Sequence, residues 1–410
     1  MPNSRVTVTP TFAPVAIPAV AGDVQLDYTV SGSTAVLSDI TAVKSDELNA
    51  SHNPNAVVDL SGESVGALVI PPAVADKLSE ELSDGITQSG TLTIKLPVVE
   101  LVLDELAVKA IAQADDGLSS TLTAELVGQD ELKEAQKEAL ARQTTYGVLR
   151  LGLATTAKEI TSFGGGRMTV RIPFAVPAGY RGRNFSVFFV TEGGGLSRHA
   201  TGYADGMLSF RIAHFSDFVV LNDPIVSFDD VSDDAWYTDV VDYVARSGIM
   251  VGSAGQFTPE AGLTRAMFAQ ILYNMESGAT ANSLDHFADV SPDAWYVEAV
   301  NWAVEAGVVS GVGNDRFAPE TAITREQLAV MLYNYARYKD YDTSRSVGLS
   351  RFSDYDHVAS WAEQAMSWAA GEKLFSGVSA ANGYALIPNG GATRAQTAKV
   401  LTYFCESYER

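Results

Sequence analysis

The chain has 410 residues, of which 46% are hydrophobic and 19% charged, and its 50 acidic residues against 28 basic ones give a net charge of −22. This composition is typical of a folded chain of two to four domains and not of a disordered one. The charge argues against nucleic acid and anionic membrane surfaces as partners, because both are bound through clustered lysine and arginine. Cys405 is the only cysteine, so an internal disulfide is excluded.

The N-terminal residues carry neither a basic start nor a following apolar stretch, and nowhere do about 18 apolar residues follow one another as a transmembrane helix requires. We therefore expect no membrane insertion. If the protein is exported, we expect this chain to begin after its signal. Residues 1–22 predict a lead-in strand or tail.

Residues 23–222 combine short alternating runs with a few helical patterns, which predicts a β-rich α+β region of one or two modules. The strand-like runs are Leu92–Leu96, Met168–Ile172, Phe185–Val190 and Leu208–Ile212. The helical patterns are Ala73–Leu82, Leu103–Ala114 and Asp130–Arg142. No pattern within this region identifies its ligand.

A domain boundary is expected near residue 223, where the turn-like segment Asn222-Asp223-Pro224 lies and after which all five tryptophans fall. From there the sequence repeats with a period near 60. We place the repeats at 223–280, 281–345 and 346–410. Each opens with Phe-x-Asp (Phe228, Phe287, Phe352), continues through a tryptophan and a glycine loop, and reaches Thr-Arg (Thr264, Thr324, Thr393).

Local signals predict a helix–loop–helix in each repeat. Ser232 and Ser291 are good N-caps for a first helix, which would place Trp236 and Trp295 on its apolar face. Gly248, Gly307 and Gly371 are expected to close that helix. The threonine of Thr-Arg should cap the second helix, with a capping box from Gln327 in the second repeat and from Gln396 in the third, whereas Met267 prevents one in the first.

Three arginines, Arg265, Arg325 and Arg394, each follow the cap of the second helix. A cation in that first turn opposes the helix dipole by roughly 0.3–1 kcal/mol, so its recurrence needs a reason. A guanidinium beside the free N–H groups of a helix start suits a carboxylate or phosphate, and in that case each arginine should face solvent. The alternative is that each arginine pairs with an acidic residue of an adjacent repeat, such as the Asp of Phe-x-Asp.

The order Phe-x-Asp, tryptophan, glycine loop, Phe-x-Pro and Thr-Arg, three times in register, resembles the S-layer homology family. The third repeat departs from it at Leu386-Ile387-Pro388. The resemblance implies an all-α domain of three repeats in a pseudo-threefold arrangement, whose grooves bind a secondary cell-wall polysaccharide with pyruvate ketal sugars. It further implies a non-enzymatic surface protein, extracellular in the cell wall or S-layer of a Gram-positive bacterium, that could self-associate.

The residues expected to bind the polymer are the three arginines, three tryptophans and three loop glycines: Arg265, Arg325, Arg394, Trp236, Trp295, Trp361, Gly252, Gly311 and Gly377. For the three tryptophans, packing is the favoured role and groove contact the alternative. Trp302 and Trp368 are expected in the core. The aspartates of Phe-x-Asp are expected to act as caps or turn formers.

No metal, cofactor or catalytic residue is predicted. The five histidines lack metal-ligand spacing, and caps explain the acidic residues from Asp229 to Asp234 without Ca²⁺. Two other roles stay open for the N-terminal region. It could bind a host or matrix component, which would make the chain a surface lattice or adhesin protein. It could instead cleave itself, since His214-Phe215-Ser216 is similar to the junction of ZU5-type and nucleoporin autoproteolytic domains. The region also resembles modules that accompany S-layer homology repeats in clostridial surface proteins.

Overall fold

A computed structural model describes residues 23–50, 54–82, 90–276, 279–282, 286–380 and 383–408. The predicted lead-in, residues 1–22, lies outside the described residues. The chain divides into two compact units with the division between Ile225 and Val226. The N-terminal unit contains sheets and helices, and the C-terminal unit contains three helix pairs.

The N-terminal unit has fifteen described strands. They are β1 Asp23–Gln25, β2 Tyr28–Ser31, β3 Thr34–Leu37, β4 Asn55–Asp59, β5 Ala67–Ile70, β6 Thr91–Leu96, β7 Val99–Asp104, β8 Ser120–Val127, β9 Thr145–Ala154, β10 Met168–Pro173, β11 Phe185–Val190, β12 Leu196–Arg198, β13 Gly202–Ala204, β14 Met207–Ile212 and β15 Asp217–Asn222. Its helices are α1 Ala42–Ala50, α2 Pro72–Glu81, α3 Glu105–Ala114 and α4 Glu134–Leu140.

These strands form two mixed sheets. One has the order β1-β4-β6-β7-β10-β14-β13 and the other β12-β11-β15-β9-β8-β5-β3-β2. A single cluster of buried apolar side chains includes Leu101 and Phe210 from the first sheet and Leu151 and Phe218 from the second. Because one core joins both sheets, the described part of residues 23–222 packs as one module.

The four predicted strands are confirmed, and two of the predicted helices differ from expectation. Leu103 belongs to strand β7, and α3 begins at Glu105 because the Asp104 carboxylate accepts the N–H of Ala107 at 2.8 Å. The pattern predicted as one helix over 130–142 is a 3₁₀ turn at Gln129–Glu131 followed by α4. Leu132 separates the two in an extended conformation, with its side chain buried in a small apolar cluster.

The C-terminal unit contains three pairs of helices, one pair per repeat. The pairs are α5 Thr238–Arg246 with α6 Arg265–Asn274, α7 Val297–Glu305 with α8 Arg325–Tyr338, and α9 Glu363–Gly371 with α10 Arg394–Tyr408. The second helix of each repeat packs on the first helix of the next, and α10 packs on α5. The three repeats therefore form a closed cycle.

The expectation of an all-α unit is wrong in the third repeat. There the loop between the helices contains two paired strands, β16 Val378–Ala380 and β17 Gly383–Ala385. This loop runs from Gly377 to Leu386, whereas the corresponding segment of the first repeat runs only from Gly252 to Phe257. The longer connection leaves room for a short antiparallel pair.

The first helices begin later than predicted. Helix α5 starts at Thr238, and the hydroxyl of Ser232 instead accepts the N–H of Asp234 in a preceding turn. Trp236 and Trp295 therefore lie before the helices and not on their apolar faces. Gly248 and Gly307 close α5 and α7 with left-handed backbones, both at φ 69°. In the third repeat Lys373, at φ 57°, takes this position, and Gly371 is the last residue of α9.

Candidate functional site

The aspartate of each Phe-x-Asp motif fixes the loop between the two helices of its own repeat. Both oxygens of Asp230 accept backbone N–H groups, from Phe257 at 2.8 Å and Thr258 at 2.6 Å. Asp289 binds the N–H groups of residues 317 and 318 at 2.8 and 2.9 Å, and Asp354 those of residues 386 and 387 at 2.7 and 2.8 Å. These aspartates are turn formers, as expected.

The carboxylates hold a backbone conformation that is otherwise unfavourable. The second residue of each clamped pair has a positive φ: 54° at Thr258, 58° at Ala318 and 52° at Ile387. Such a conformation is disfavoured for residues other than glycine, above all for β-branched threonine and isoleucine. Two charge-assisted hydrogen bonds to one carboxylate offset that strain.

The arginine of each Thr-Arg motif crosses to the next repeat and donates to the loop that the aspartate fixes. The Nε–H of Arg265 donates to the carbonyl of Phe317 at 2.8 Å, and its Nη2 donates to Ser310 at 3.0 Å. Arg325 donates to Leu386 at 2.8 Å. Arg394 closes the cycle with bonds to Phe257 at 2.7 Å and Val251 at 2.8 Å.

Each guanidinium also lies over an aromatic ring of the repeat it reaches. The distance from Cζ to the ring centroid is 4.7 Å for Arg265 over Phe317 and 4.5 Å for Arg394 over Phe257. Leu386 stands where those phenylalanines stand, so Arg325 stacks instead on Phe375, at 4.6 Å. We call these three arginines with their carbonyl acceptors the arginine ring.

The expectation that the arginines face solvent is wrong. Arg265 is only 5% exposed, and Arg325 and Arg394 are half-buried. Burial lowers the pKa of all three guanidinium groups. The negative charge of the Phe-x-Asp aspartate in the neighbouring repeat, which we call the aspartate clamp, opposes that shift in each case. Each arginine thus lies near the Phe-x-Asp aspartate of an adjacent repeat, as the alternative to an anion site predicted. Its hydrogen bonds, however, go to backbone carbonyls in the loop of that repeat.

The helix starts are also occupied. The N–H of Arg265 donates to Thr321 and that of Ala266 to Pro319, both at 3.0 Å, while the Thr264 hydroxyl accepts the N–H of Met267 at 3.2 Å. The other two repeats make the same backbone bonds. The N–H groups of Arg325 and Glu326 donate to carbonyls of the third repeat, and those of Arg394 and Ala395 donate to carbonyls of the first. An anion site on free N–H groups of these helix starts is therefore wrong, because carbonyls of the next repeat already use them.

The capping boxes of the second and third repeats are confirmed. In each, the threonine hydroxyl accepts the glutamine N–H at 3.3 Å, and the glutamine side chain accepts the threonine N–H at 3.3 Å. In the first repeat the threonine bond alone is present. These polar contacts fix the first turn of each helix, from which the arginines extend.

The loop glycines make room for the phenylalanine that opens each repeat. A Cβ atom on Gly252 would lie 2.3 Å from Cε1 of Phe228, and one on Gly311 would lie 2.7 Å from Cε1 of Phe287. Gly377 is less crowded, with the corresponding atom of Phe352 at 3.2 Å, but its φ of 78° also favours glycine. Close packing thus accounts for these three residues.

Three tryptophans at matching positions are exposed. Trp236 is 59% exposed, Trp295 62% and Trp361 58%. The favoured expectation that they pack in the interior is therefore wrong. Trp302 and Trp368 are buried in the core, as predicted. Of the nine residues expected to bind the polymer, only these three tryptophans present most of their side chain to solvent.

The loop carbonyls that accept hydrogen bonds from the arginines could not be predicted from the sequence. Carbonyls occur at every residue and leave no mark in a sequence. An indirect signal is a short motif that precedes Thr-Arg in every repeat. It is Phe-x-Pro in the first two repeats and Leu-x-Pro in the third. The structure uses that proline too, since its carbonyl accepts the N–H that follows the arginine.

Elsewhere in the described residues, no group of three or more His, Cys, Asp or Glu side chains could hold a metal ion. No helix among them is long and apolar enough to span a membrane. His214 and Phe215 lie between β14 and β15, with the His214 ring 4.5 Å from that of Phe189 and its Nδ1 3.5 Å from the Phe215 carbonyl. The N–H of Phe215 and the carbonyl of Ser216 are bonded to Thr161 and Leu151, as in an ordinary strand connection.

Comparison with known proteins agrees with this internal repetition. The S-layer homology domain matches residues 227–269, 286–329 and 351–398, one match in each predicted repeat. The chain is 30% identical over 175 residues to the surface-layer 125 kDa protein of Lysinibacillus sphaericus, which covers 42% of this chain and 14% of that protein. It is 37% identical over 111 residues to the S-layer protein sap of Bacillus anthracis, which covers 26% of this chain and 13% of that protein.

A third similarity extends beyond the repeats. An amylopullulanase of Thermoanaerobacterium thermosulfurigenes is 25% identical over 303 residues, which covers 72% of this chain and 16% of that protein. The aligned part is longer than the C-terminal unit, so it continues into the N-terminal one. The matched part of the chain thus covers only 13–16% of the length of these three relatives. Its C-terminal unit consists of three S-layer homology domain repeats, the repeat type of surface proteins that anchor to the cell wall.

Proposed function

We propose that the chain anchors to the bacterial cell wall by binding a secondary wall polysaccharide through the surface that carries Trp236, Trp295 and Trp361. The observation that carries the proposal is the exposure of all three rings at matching positions of S-layer homology repeats. Indole rings that are mostly exposed contribute little to the stability of a folded unit. A sugar gains a flat apolar surface on which its C–H face can stack, with an N–H at the rim as hydrogen-bond donor.

The arginine ring and the loop glycines support that surface indirectly in this proposal. The cyclic contacts between helices support an approximately threefold arrangement of the repeats. In such an arrangement a polymer would meet an equivalent tryptophan in every repeat. Fixing the loops before binding reduces the entropy lost on binding. We infer that the arginines supply rigidity, with direct contact to the polymer left to the tryptophans.

The charge of the unit bears on the ligand chemistry in this proposal. From residue 223 onward the chain has 25 acidic and 12 basic residues, so long-range attraction does not bring an acidic polymer to it. Recognition must then be local. A pyruvate ketal presents a single carboxylate on an otherwise neutral sugar, which suits a surface of stacking rings with few charges.

The test is co-sedimentation of the full chain with purified sacculi from a Gram-positive bacterium. Sacculi with their polymer should pellet the protein, and sacculi stripped with hydrofluoric acid should leave it in solution. Replacing all three exposed tryptophans by alanine should abolish pelleting while the thermal unfolding curve stays unchanged. Equal pelleting by stripped sacculi would show that peptidoglycan is the partner and would overturn the proposal.

We extend the proposal to a non-enzymatic role for the whole chain, with the N-terminal unit as a module displayed at the surface. The amylopullulanase relative is named for an activity on glucans, and the present chain spans 16% of it. Incubating the full chain with pullulan, starch, xylan and cellulose should therefore release no reducing sugar. Release from any of them would contradict this part of the proposal.

A further inference from the structure

The three junctions between repeats differ in the residues that stand beside the exposed tryptophan. Where the third repeat meets the first, Lys399 of helix α10 lies with its Nζ 5.8 Å from the centroid of the Trp236 ring. The same ammonium lies 5.4 Å from the centroid of the Tyr403 ring. An ammonium within about 6 Å of an aromatic ring centroid is attracted by the electron-rich face of that ring.

At the other two junctions the residues at both corresponding positions differ. Counted from the Thr-Arg motif, Lys399 corresponds to Gln270 of α6 and Val330 of α8, and Tyr403 corresponds to Asn274 and Asn334. Asn274 and Asn334 donate to the carbonyls of Ile249 and Val308, at 3.1 and 3.2 Å, within their own repeats. Gln270 donates to Asn274 at 2.8 Å. The third repeat thus replaces a neutral pair by a lysine and a tyrosine.

Within the described part of the chain, the charge of Lys399 is not used for an ion pair. Lys399 is exposed, and among the described residues it makes no salt bridge. The guanidinium groups of the arginine ring, by contrast, are bonded to carbonyls. At the surface where Trp236 is exposed, the ammonium of Lys399 is therefore a positive charge that a ligand can still reach.

We propose that Trp236, Lys399 and Tyr403 form an anion-selective sugar site that the other two junctions lack. Its ligand is one sugar residue that bears a carboxylate. The C–H face of the sugar stacks on Trp236, and the carboxylate accepts a charge-assisted hydrogen bond from Nζ of Lys399. The junctions with Gln270 and Val330 contact the polymer through neutral surfaces alone. This inference rests on the proposed function and makes the three junctions unequal.

The probe is the wall polysaccharide released from sacculi of a Gram-positive bacterium, used once in native form and once with its carboxylates reduced to alcohols. Binding to the full chain is measured by titration calorimetry. Lys399→Gln places at this junction the residue that the first repeat has, and it should weaken binding of the native polymer about tenfold. It should leave binding of the reduced polymer unchanged. Lys399→Arg should retain most of the affinity because the charge remains.

Arg337→Gln is the matched control, because it removes one positive charge from an exposed position on helix α8. It should bind both forms of the polymer like the parent chain. Equal affinity of the parent chain and Lys399→Gln for the native polymer would overturn this inference and leave the proposed function intact. Absence of binding by the parent chain to either form would overturn both.

Discussion

The arginine ring and the exposed tryptophans recur equally in the three repeats, but the structure uses them in opposite ways. Arg265 is 5% exposed and donates two hydrogen bonds to the next repeat, whereas Trp295 of that next repeat is 62% exposed. The residue type alone would suggest the reverse, with the charged side chain in solvent and the indole inside. Recurrence in a repeat therefore marks a required residue without telling whether folding or binding requires it.

The largest effect is expected from comparing an interior tryptophan with an exposed one of the same repeat. Trp302 is 4% exposed, and its ring packs edge to face on Tyr273 and Tyr338 at 5.6 and 5.8 Å. Trp302→Ala should lower the free energy of unfolding by about 3–5 kcal/mol, because it leaves a cavity. Trp295→Ala should change it by less than about 0.5 kcal/mol. Urea unfolding followed by far-ultraviolet circular dichroism measures both, and equal losses would contradict the distinction.

A somewhat smaller effect is expected for the arginine ring. Arg265→Ala removes two charge-assisted hydrogen bonds and a cation–π contact and leaves two carbonyls without their donor. The free energy of unfolding should fall by about 2–4 kcal/mol. Arg265→Lys should restore only part of it, since an ammonium cannot reproduce two directed bonds.

The control for this substitution is Arg337→Ala, which removes an exposed arginine from helix α8. It should leave the unfolding curve nearly unchanged in the same urea titration. If Arg265→Ala left stability unchanged while sacculus binding fell, the arginine would act on the ligand directly. The tryptophans would then share the surface with the arginine ring.

The loop glycines test whether packing alone explains a recurring residue. Gly252→Ala places a methyl group 2.3 Å from Phe228 and 2.6 Å from the Gln256 carbonyl, so it should destabilise the unit by about 1–3 kcal/mol. Gly262→Ala is the matched control, because a Cβ atom there meets nothing within 4 Å. Thermal unfolding of the two variants should differ clearly, and similar midpoints would show that the loop adapts to the added methyl group.

The sequence predicted features that depend on near neighbours in the chain. Helix α2, the capping boxes at Thr324 and Thr393, and the left-handed closures at Gly248 and Gly307 depend on residues within a few positions of one another. The predicted helix starts were wrong where a contact between residues farther apart in the chain determines the first residue of the helix. Ser232 looks like an N-cap, but its carbonyl accepts the Thr238 hydroxyl at 2.6 Å, and the helix begins only there.

The exposure of the candidate site residues was predicted wrongly because it also depends on partners far away in the chain. The arginine acceptors lie in the loop of the neighbouring repeat, and for Arg394 the carbonyl belongs to Phe257, 137 positions earlier in the chain. Periodicity could place Trp236 near a helix but could not show that this helix starts two residues after it. Neither burial nor exposure of these residues can be derived without the closed cycle of repeats.

The smallest expected effect concerns the pH dependence of the aspartate clamps on which the arginine ring rests. Burial by itself raises the pKa of Asp230, but the N–H donors of Phe257 and Thr258 outweigh it, so the pKa is lowered. Asp289 behaves in the same way, with Arg316 as a further contributor. A carboxyl group whose pKa is lower in the folded state stabilises the fold above its unfolded pKa of about 3.9. That stabilisation is lost as the pH falls through the folded value.

Asp230→Asn should therefore reduce stability at neutral pH, since an amide offers one acceptor oxygen and no charge to the two N–H groups. The difference from the parent chain should begin to shrink below about pH 4, where Asp230 of the unfolded chain becomes protonated. It should vanish once the pH lies below the lowered pKa of the folded carboxyl group. Asp234→Asn, at an exposed position of the turn before α5, is the control and should leave the urea midpoint nearly unchanged at neutral pH. Urea midpoints measured at a series of pH values test this. A penalty for Asp230→Asn that stays constant down to acid pH would show that the clamp depends on geometry and not on charge.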